Sequence, residues 1–243
     1  MARERPEAPE SRPASAAPLD LALRIHELME AVGAPPAPGA LRAADALRRL
    51  ARWLVAAAAS DAERTALAEA LEAVEGGLPA RETSSRYAVP GARAGRLAER
   101  AGFHPNARAT HPLVGRANPM APPIELAADG ARAQGRLRFG PLHEGMPGCA
   151  HGGWIAAGFD IVFAQAATQA PAGGGVTGTL VVRYLGPTPI DAPLCYEAWL
   201  ERSEGRKILV RGHLRTDPPP GAAGEPRVTA EAEGIFVARG AGS

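Results

Sequence analysis

The chain has 243 residues, of which 46% are hydrophobic and 5% aromatic, and its formal net charge is +1. This length accommodates one globular domain with a sizeable extension, and the charge gives no electrostatic reason to expect nucleic acid or an anionic membrane as a partner. Two cysteines cannot build a disulfide framework, and no stretch approaches the ~20 apolar residues of a membrane span. We therefore expect a soluble protein of the reducing cytoplasm.

The first part of the chain is predicted to be an extension to the main domain. Residues 1–18 are charged and Pro-rich and lack the apolar core of a secretory signal, so we expect them to be disordered. Three segments with helical hydrophobic spacing follow, and Ser60 with Glu63 resembles a capping box that opens the third. A connector rich in Gly, Pro and Arg comes next. We assign residues 19–110 to a helical extension and connector, whose amphipathic helices should dock on the main domain or on each other.

Residues 111–243 are predicted to form the main domain. From Ile124 onward the hydrophobic period changes to two, beginning with a hairpin that turns at Asp129-Gly130. A long apolar helix follows, and then four β-rich segments, VTGTLVVRY, LCYEAWLER, RKILVRGHLR and RVTAEAEGIFVAR. In the last segment one face is formed by Val228, Ala230, Ala232, Gly234 and Phe236. This order predicts an α+β domain in which one curved antiparallel sheet wraps a single helix.

The predicted helix, which begins at Gly152, is apolar or small on every side except at Asp160. A helix that is apolar all round is buried, and a carboxylate within it is costly unless it is paired, hydrogen-bonded or shifted in pKa. From the residues alone, Asp160 is either a structural acid paired with an arginine or a base whose pKa is raised by apolar surroundings. The backbone N–H groups of Gly152 and Gly153 lie at the positive end of the helix dipole, where they form a candidate oxyanion site.

Several stretches together carry a family resemblance. They are HEGMPGCAHGG (143–153), Asp160, VTGTLVVRYLGPTP (176–189), EGRK (204–207) and AEAEGIFV (230–237). In this order they resemble the hotdog-fold thioesterases of the phenylacetic-acid-degradation (PaaI) type, over residues 117–239. The resemblance implies a hotdog fold and the hydrolysis of acyl-CoA thioesters without a metal or an organic cofactor.

The resemblance also implies roles for individual residues. Gly152 would supply the backbone N–H that polarises the thioester carbonyl, Asp160 would activate water or attack directly, and Thr177 would hold the water or the nucleophile. His151 either bonds the thioester or caps the helix. Gly145 stands where some members carry an asparagine that contacts the carbonyl, and the local HEGMPG is similar to a branch that acts on longer acyl chains.

The expected substrate site extends beyond these residues. Its binding residues are Gly153, Gly178, Arg206 and Lys207, of which the last two would meet the CoA phosphates. Room beside the helix is expected at Ala156, Ala157 and Gly158, while an apolar acyl tunnel or core filling is expected from Trp154, Phe159 and Phe163. We therefore predict a preference for medium- to long-chain acyl groups.

Other functions are conceivable for the same fold. The spacing of His143, Cys149 and His151 matches no common zinc pattern. An acyl-CoA-sensing transcription regulator should carry a basic helix-turn-helix, yet residues 1–100 contain as many acidic residues as arginines. A hydratase would use an Asp–His pair on the helix, which has no histidine beyond its start. A non-catalytic acyl-CoA-binding protein stays open, although the retained Asp160 argues against it.

The spacing along the helix predicts an oligomer. Gly152 and Asp160 are eight residues apart, which is about 12 Å along a helix. An oxyanion donor and a base must both reach one carbonyl group, so a single helix cannot present both. We expect a homodimer, or a dimer of dimers, in which Gly152 of one chain faces Asp160 of the other.

Overall fold

The computed structural model describes residues 36–79, 109–129, 132–218 and 225–238. Its helices are α1 (Pro38–Ala56), α2 (Asp61–Gly76) and α3 (Gly152–Ala167). Its strands are β1 (Glu125–Asp129), β2 (Arg132–Leu137), β3 (Val176–Tyr184), β4 (Leu194–Glu204), β5 (Lys207–Thr216) and β6 (Val228–Val237). Outside the described residues lie the predictions for residues 1–18, for a helical segment at 19–32, for most of the connector and for the turn at residue 130.

The six strands form one antiparallel sheet in the order β1-β2-β4-β5-β6-β3, and α3 packs on one face of it. The predicted α+β class, with a single long helix held by one antiparallel sheet, is confirmed. β3 forms an edge of this sheet because it pairs with β6, the last strand, and not with β4, which follows it in the chain. One long edge of the sheet is therefore made by the strand that comes directly after the helix.

The alternation predicted for β6 holds along most of the strand. Ala230, Ala232, Gly234 and Phe236 are buried, as expected for the face that the helix covers. Val228 is the exception, because the pairing of β5 with β6 shifts register between Leu214 and Arg215. Val228 is therefore exposed, and Thr229 is buried instead and shares a hydrogen bond with the hydroxyl of Thr188 at 2.8 Å.

Small residues let α3 lie close to the sheet. Phe163 of α3 is fully buried, and a Cβ at Gly212 would lie 2.7 Å from its ring, or 2.8 Å from it at Gly234. From the other side, the buried Tyr196 of β4 donates its hydroxyl hydrogen to the Ile155 carbonyl at 3.0 Å and packs against Gly158. The glycines of the sheet thus make room for the Phe163 ring, and the glycine of the helix makes room for the Tyr196 ring.

Helix α2 begins as its sequence predicts. Ser60 caps α2 by accepting a hydrogen bond from the Glu63 N–H, and the Glu63 carboxylate accepts one from the Ser60 N–H at 2.7 Å. The capping box predicted for this helix is confirmed. None of the helices in the described ranges is both long and apolar enough to cross a membrane.

Helix α1 docks on the sheet domain through small and basic residues. Ala44 is 2% exposed, and the Arg48 guanidinium donates to the carbonyls of Arg116 and Asn118 at 2.8 and 2.7 Å. Arg52 forms two hydrogen bonds of 3.1 Å with the Asp191 carboxylate. Ala44, Arg48 and Arg52 follow one another at intervals of four residues, so they lie on one face of α1. The leucine face of α1, with Leu47, Leu50 and Leu54, remains exposed.

Replacing Gly158 with alanine is expected to destabilise the fold by about 1–3 kcal/mol, despite the higher helix propensity of alanine. The added methyl group would collide with the hydroxyl and ring of the fully buried Tyr196. Gly186→Ala is the matched control, because its methyl group would meet nothing closer than an Arg227 guanidinium nitrogen at 3.5 Å. Urea unfolding of both variants measures the difference. Equal stability of the two variants would contradict this account of the helix–sheet contact.

Candidate active site

The start of α3 leaves one backbone N–H without a partner. His151 is the N-cap residue, and its ring Nδ1 accepts a hydrogen bond from the Gly153 N–H at 3.0 Å. The Gly152 N–H donates no hydrogen bond to any described residue. The pair of glycine donors expected from the sequence is thereby reduced to Gly152 in this chain. His151 adopts the capping role, one of the two considered for it.

The segment that leads into α3 is held by backbone hydrogen bonds. The His151 N–H donates to the His143 carbonyl at 2.8 Å, and the Ala150 N–H donates to the Thr188 carbonyl at 2.8 Å. A Cβ at Gly145 would lie 2.8 Å from the His151 Cα, so this turn accepts only glycine. That contact explains the absence of an asparagine at this position, because any side chain here would displace the capping histidine.

Tyr184, the last residue of β3, is a site residue that the sequence analysis missed. Its hydroxyl donates a hydrogen bond to the Gly152 carbonyl at 2.8 Å, and its ring would be 3.1 Å from a Cβ at Gly152. The alternation of side chains along the strand could have indicated Tyr184. Tyr184 has the same parity as Leu180 and Val182, which pack against the core beneath the helix.

Asp160 meets Thr177 at the opposite end of β3. The Thr177 hydroxyl donates a hydrogen bond to Asp160 Oδ1 at 2.7 Å. Gly178 is the extra residue of a bulge between Thr177 and Thr179, and a Cβ there would lie 3.2 Å from the Val237 side chain. The bulge therefore places Thr177 at the helix, and glycine keeps the bulged strand close to β6.

Asp160 is not the fully buried acid that the sequence suggested. It lies on a half-exposed face of α3 together with Ala156, Ala157, Ile161 and Ala164. The opposite face of α3 is covered by the sheet. An all-apolar helix therefore has one face that the described part of its own chain does not cover.

This open face continues onto the edge strand. β3 has a hydrogen-bonded neighbour on one side, β6, within the described sheet. On this side Tyr184 is 54% exposed and Leu185 follows at 49%, whereas Val181 has the opposite parity and lies on the outer face of the sheet. Exposed apolar side chains beside a strand edge that has no partner in the described sheet indicate an interaction site.

Arg206 and Lys207 are exposed at the turn between β4 and β5. The Arg206 guanidinium donates to the Ala238 carbonyl at 2.9 Å. Lys207 is paired with Val237, which in turn is paired with Val176. Two strand spacings, roughly 10 Å, therefore separate Lys207 from the start of β3. Both basic residues lie at the Asp160 end of the sheet, as a binding role would require.

The residues expected beside the acyl group separate into two sets. Phe159 and Phe163 are fully buried in the core, and the space beside Gly158 is filled by Tyr196. Trp154 packs edge-on against His143, with ring centroids 4.9 Å apart. Only the alanines at 156 and 157 contribute to the open face. Room for an acyl chain therefore lies along the exposed side of α3 and not beneath it.

Gly152 and Asp160 occupy different surroundings within one chain. Gly152 lies by Tyr184 and Asp160 lies by Thr177, at the two ends of β3. The helix and the edge strand therefore run in opposite directions. The structure does not bring the oxyanion donor and the carboxylate of one chain together. In the described ranges, no group of three His, Cys, Asp or Glu side chains is arranged to hold a metal ion.

Comparisons with known proteins agree with this architecture. The family profile described as "Thioesterase superfamily" matches residues 147–223. Acyl-coenzyme A thioesterase THEM4 of Xenopus laevis is 35% identical over 77 residues, 32% of this chain and 34% of that protein. The match thus spans about a third of the length of this relative. A crystal structure of a thioesterase superfamily protein has a TM-score of 0.57 and 27% identity, covering 84% of this chain and 97% of the other.

Proposed function

We propose that the protein hydrolyses acyl-CoA thioesters to the free acid and CoA, because residues 147–223 match the thioesterase superfamily profile. The observation that carries the proposal is the Asp160 carboxylate, which lies on the open face of α3 and is hydrogen-bonded to Thr177. That helix begins with a backbone N–H that has no partner in the described structure. Thioester hydrolysis requires these two functions, a base or nucleophile and an oxyanion donor.

The oxyanion donor in this proposal is the Gly152 N–H. It is directed out of the first turn of α3, where the helix dipole favours negative charge. His151 supports this role indirectly, because its ring occupies the neighbouring Gly153 N–H. The thioester oxygen would gain negative charge in the tetrahedral intermediate and would be stabilised there by the remaining donor.

Asp160 acts on the carbonyl carbon in this proposal. As a base it takes a proton from water, the hydroxide attacks the carbonyl, and the intermediate expels CoA thiolate, which then takes up a proton. As a nucleophile it attacks the carbonyl carbon, the C–S bond breaks and CoA thiolate leaves, and water hydrolyses the resulting mixed anhydride in a second step to the free acid and the Asp160 carboxylate. Thr177 positions the carboxylate by its hydrogen bond in either route. Both routes need only water as a co-reactant, so no metal or organic cofactor is proposed.

The complete site is proposed to form between two chains. Helix α3 and strand β3 run antiparallel along the open side of the domain, with Gly152 at one end and Asp160 at the other. A two-fold axis beside this face would place Gly152 of each chain opposite Asp160 of its partner. The same contact would cover the half-exposed face of α3 and give the β3 edge a partner. A homodimer, or a dimer of dimers, therefore follows from the proposed chemistry.

We further propose medium- to long-chain acyl groups as the substrates. Ala156 and Ala157 keep the open side of α3 shallow, so an extended apolar chain could lie along the helix between two subunits. Arg206 and Lys207, near the Asp160 end, would meet the phosphates of CoA, and Gly178 would let the substrate approach the bulged strand. Gly153 lines the entrance beside the capping histidine.

A non-catalytic acyl-CoA-binding or acyl-CoA-sensing role is the second candidate. One observation favours it: within a single chain the carboxylate and the oxyanion donor lie apart. Release of free thiol from acyl-CoA by the purified protein distinguishes the two functions, because a binding protein would retain acyl-CoA without cleaving it.

Asp160→Asn is expected to reduce kcat for acyl-CoA hydrolysis by about 100- to 10,000-fold, since the amide keeps the shape but loses the base. Acyl-CoA binding should stay within a few-fold. Thr177→Val should cost roughly 10-fold or more in kcat through loss of one charge-assisted hydrogen bond. Thr179→Val, across the bulge and exposed, is the matched control and should be active. Thiol-release kinetics measure all three, and near-normal turnover by Asp160→Asn would remove this residue from the mechanism.

Mixed dimers test the proposed interface site. Gly152→Pro deletes the N–H, and the fold should tolerate it because proline suits the first helical position. His151, the preceding residue, already has the extended conformation that proline requires, with ψ of 135°. Gly152→Pro and Asp160→Ala homodimers should each be nearly inactive. Heterodimers of the two should regain about half of wild-type activity, because one of their two sites is intact.

The matched control for the mixed dimers is Gly152→Ala. It brings the same Cβ against the Tyr184 ring, at 3.1 Å, but keeps the N–H. We expect the Gly152→Ala homodimer to be active. Its activity would show that Gly152→Pro loses turnover because the donor is missing and not because of crowding. Purified, folded heterodimers that remain inactive would place both groups in one chain and refute the shared site.

Chain-length preference is measured with a panel of acyl-CoAs from short to long, together with aryl forms. We expect kcat/KM to rise towards medium and long chains, because each buried methylene contributes roughly 0.8 kcal/mol. Ala157→Leu should lower kcat/KM for the longer substrates and spare the shortest. Turnover confined to aryl-CoA or to hydroxylated short substrates would contradict the proposed acyl class.

A further inference from the structure

We propose that a cavity between α1 and the sheet domain binds a small oxyanion, either a carboxylate or a phosphate. The cavity has a volume of about 160 Å³ and is lined by Arg48, Arg52, Arg138 and His143 together with four prolines. Since a water molecule takes about 30 Å³ in the liquid, the space holds several waters or one small anion. This inference does not depend on the proposed thioesterase activity.

His143 presents an unused donor at this cavity. The residue is 7% exposed, and its ring Nδ1 accepts a hydrogen bond from the Gly140 N–H at 3.1 Å. A neutral ring that accepts at Nδ1 carries its proton on Nε2. Burial lowers the pKa of His143 and thereby favours the neutral ring, an effect that the Met120 and Gly140 backbones oppose. The buried Nε2 makes no hydrogen bond with any described residue.

Arg48 presents a second unused donor. Its Nη1 pairs with Asp45 at 2.7 Å, and its Nη2 donates to two backbone carbonyls, so the guanidinium plane is fixed. The Nε is buried and has no hydrogen-bond partner in the described part of the chain. A buried donor without a partner costs roughly 1–3 kcal/mol. Both residues line this cavity, so an acceptor that enters it would lie beside the two side chains that carry these donors.

The charges around the cavity favour an anion over a neutral acceptor. Arg48, Arg52 and Arg138 all line it, and among the described residues no aspartate or glutamate does. Asp45 pairs with Arg48 and Asp191 with Arg52, while Arg138 donates only to the Asp191 backbone carbonyl. One positive charge is therefore left without a carboxylate partner. An oxyanion has several acceptor oxygens and could accept from the His143 and Arg48 donors together.

The bound anion would join two parts of the molecule. Arg48 belongs to α1, whereas His143 begins the segment that leads into α3 and accepts the His151 N–H through its carbonyl. An occupant held by both would fix α1 against the segment that carries the N-cap of α3. Binding should therefore raise the thermal stability of the full chain, and the increase should grow with the logarithm of the anion concentration once this exceeds the Kd.

The test is calorimetric titration of the full chain at pH 7 with inorganic phosphate and, separately, with acetate, at ionic strength held constant with sodium chloride. We expect saturable one-site binding of at least one of the two anions. Phosphate alone would identify a phosphate site, and acetate would identify a carboxylate site. His143→Phe and Arg48→Lys, which remove one donor each, should weaken binding by about 10-fold or more. Arg49→Lys is the matched control, because Arg49 is exposed on the same helix and does not line the cavity, and it should bind normally.

A second measurement needs no variant. The NMR signals of the His143 imidazole nitrogens in the wild-type protein should shift during the same titration. The midpoint of this shift should equal the midpoint of the calorimetric titration. Absence of saturable binding of either anion overturns the proposal, and so does equal binding by wild type, His143→Phe and Arg48→Lys. An unmoved His143 signal at saturation also overturns it, because water alone would then satisfy these donors.

Discussion

The site depends on how closely α3 approaches the sheet beneath it. Phe163 enters the space above Gly212 and Gly234, and Tyr196 enters the space beside Gly158. Interiors are packed at the density of crystals, so these interlocking rings fix both the rotation and the axial position of the helix. The rotation determines which residues remain on the open side, and the axial position brings Asp160 within a hydrogen bond of Thr177.

The start of the helix shows how a capping residue can select one donor from several. The first turn of any helix has unpaired N–H groups, and a side chain at the N-cap normally satisfies one of them. Here the His151 ring satisfies Gly153, and Tyr184 occupies the Gly152 carbonyl. Both contacts restrict the direction of the Gly152 N–H. The glycine turn at Gly145 is part of the same arrangement, because it leaves space for the histidine.

Much of this structure could be predicted from the sequence where one local pattern determines the outcome. Segments whose hydrophobic residues alternate with a period of two predicted the strands, and Ser60 with Glu63 predicted the start of a helix. The burial of Asp160 could not be predicted correctly, because an apolar helix face looks the same whether its own sheet or another molecule covers it. Docking of α1 was expected, but the residues that make the contact were hidden, since Arg48 binds backbone carbonyls while the leucines that dominate the helical pattern stay exposed. Contacts between distant segments leave no periodic signal.

The position of β3 has a consequence for synthesis of the protein. In the described sheet its partner is β6, the last strand, and the intervening β4 and β5 pair with each other first in chain order. A growing chain on the ribosome therefore holds Thr177 long before the strand that anchors it has been made. Pairings between such distant segments form late and slowly. A chain released before residue 228 would contain every group of the candidate active site, but it would lack the strand that holds β3 in place.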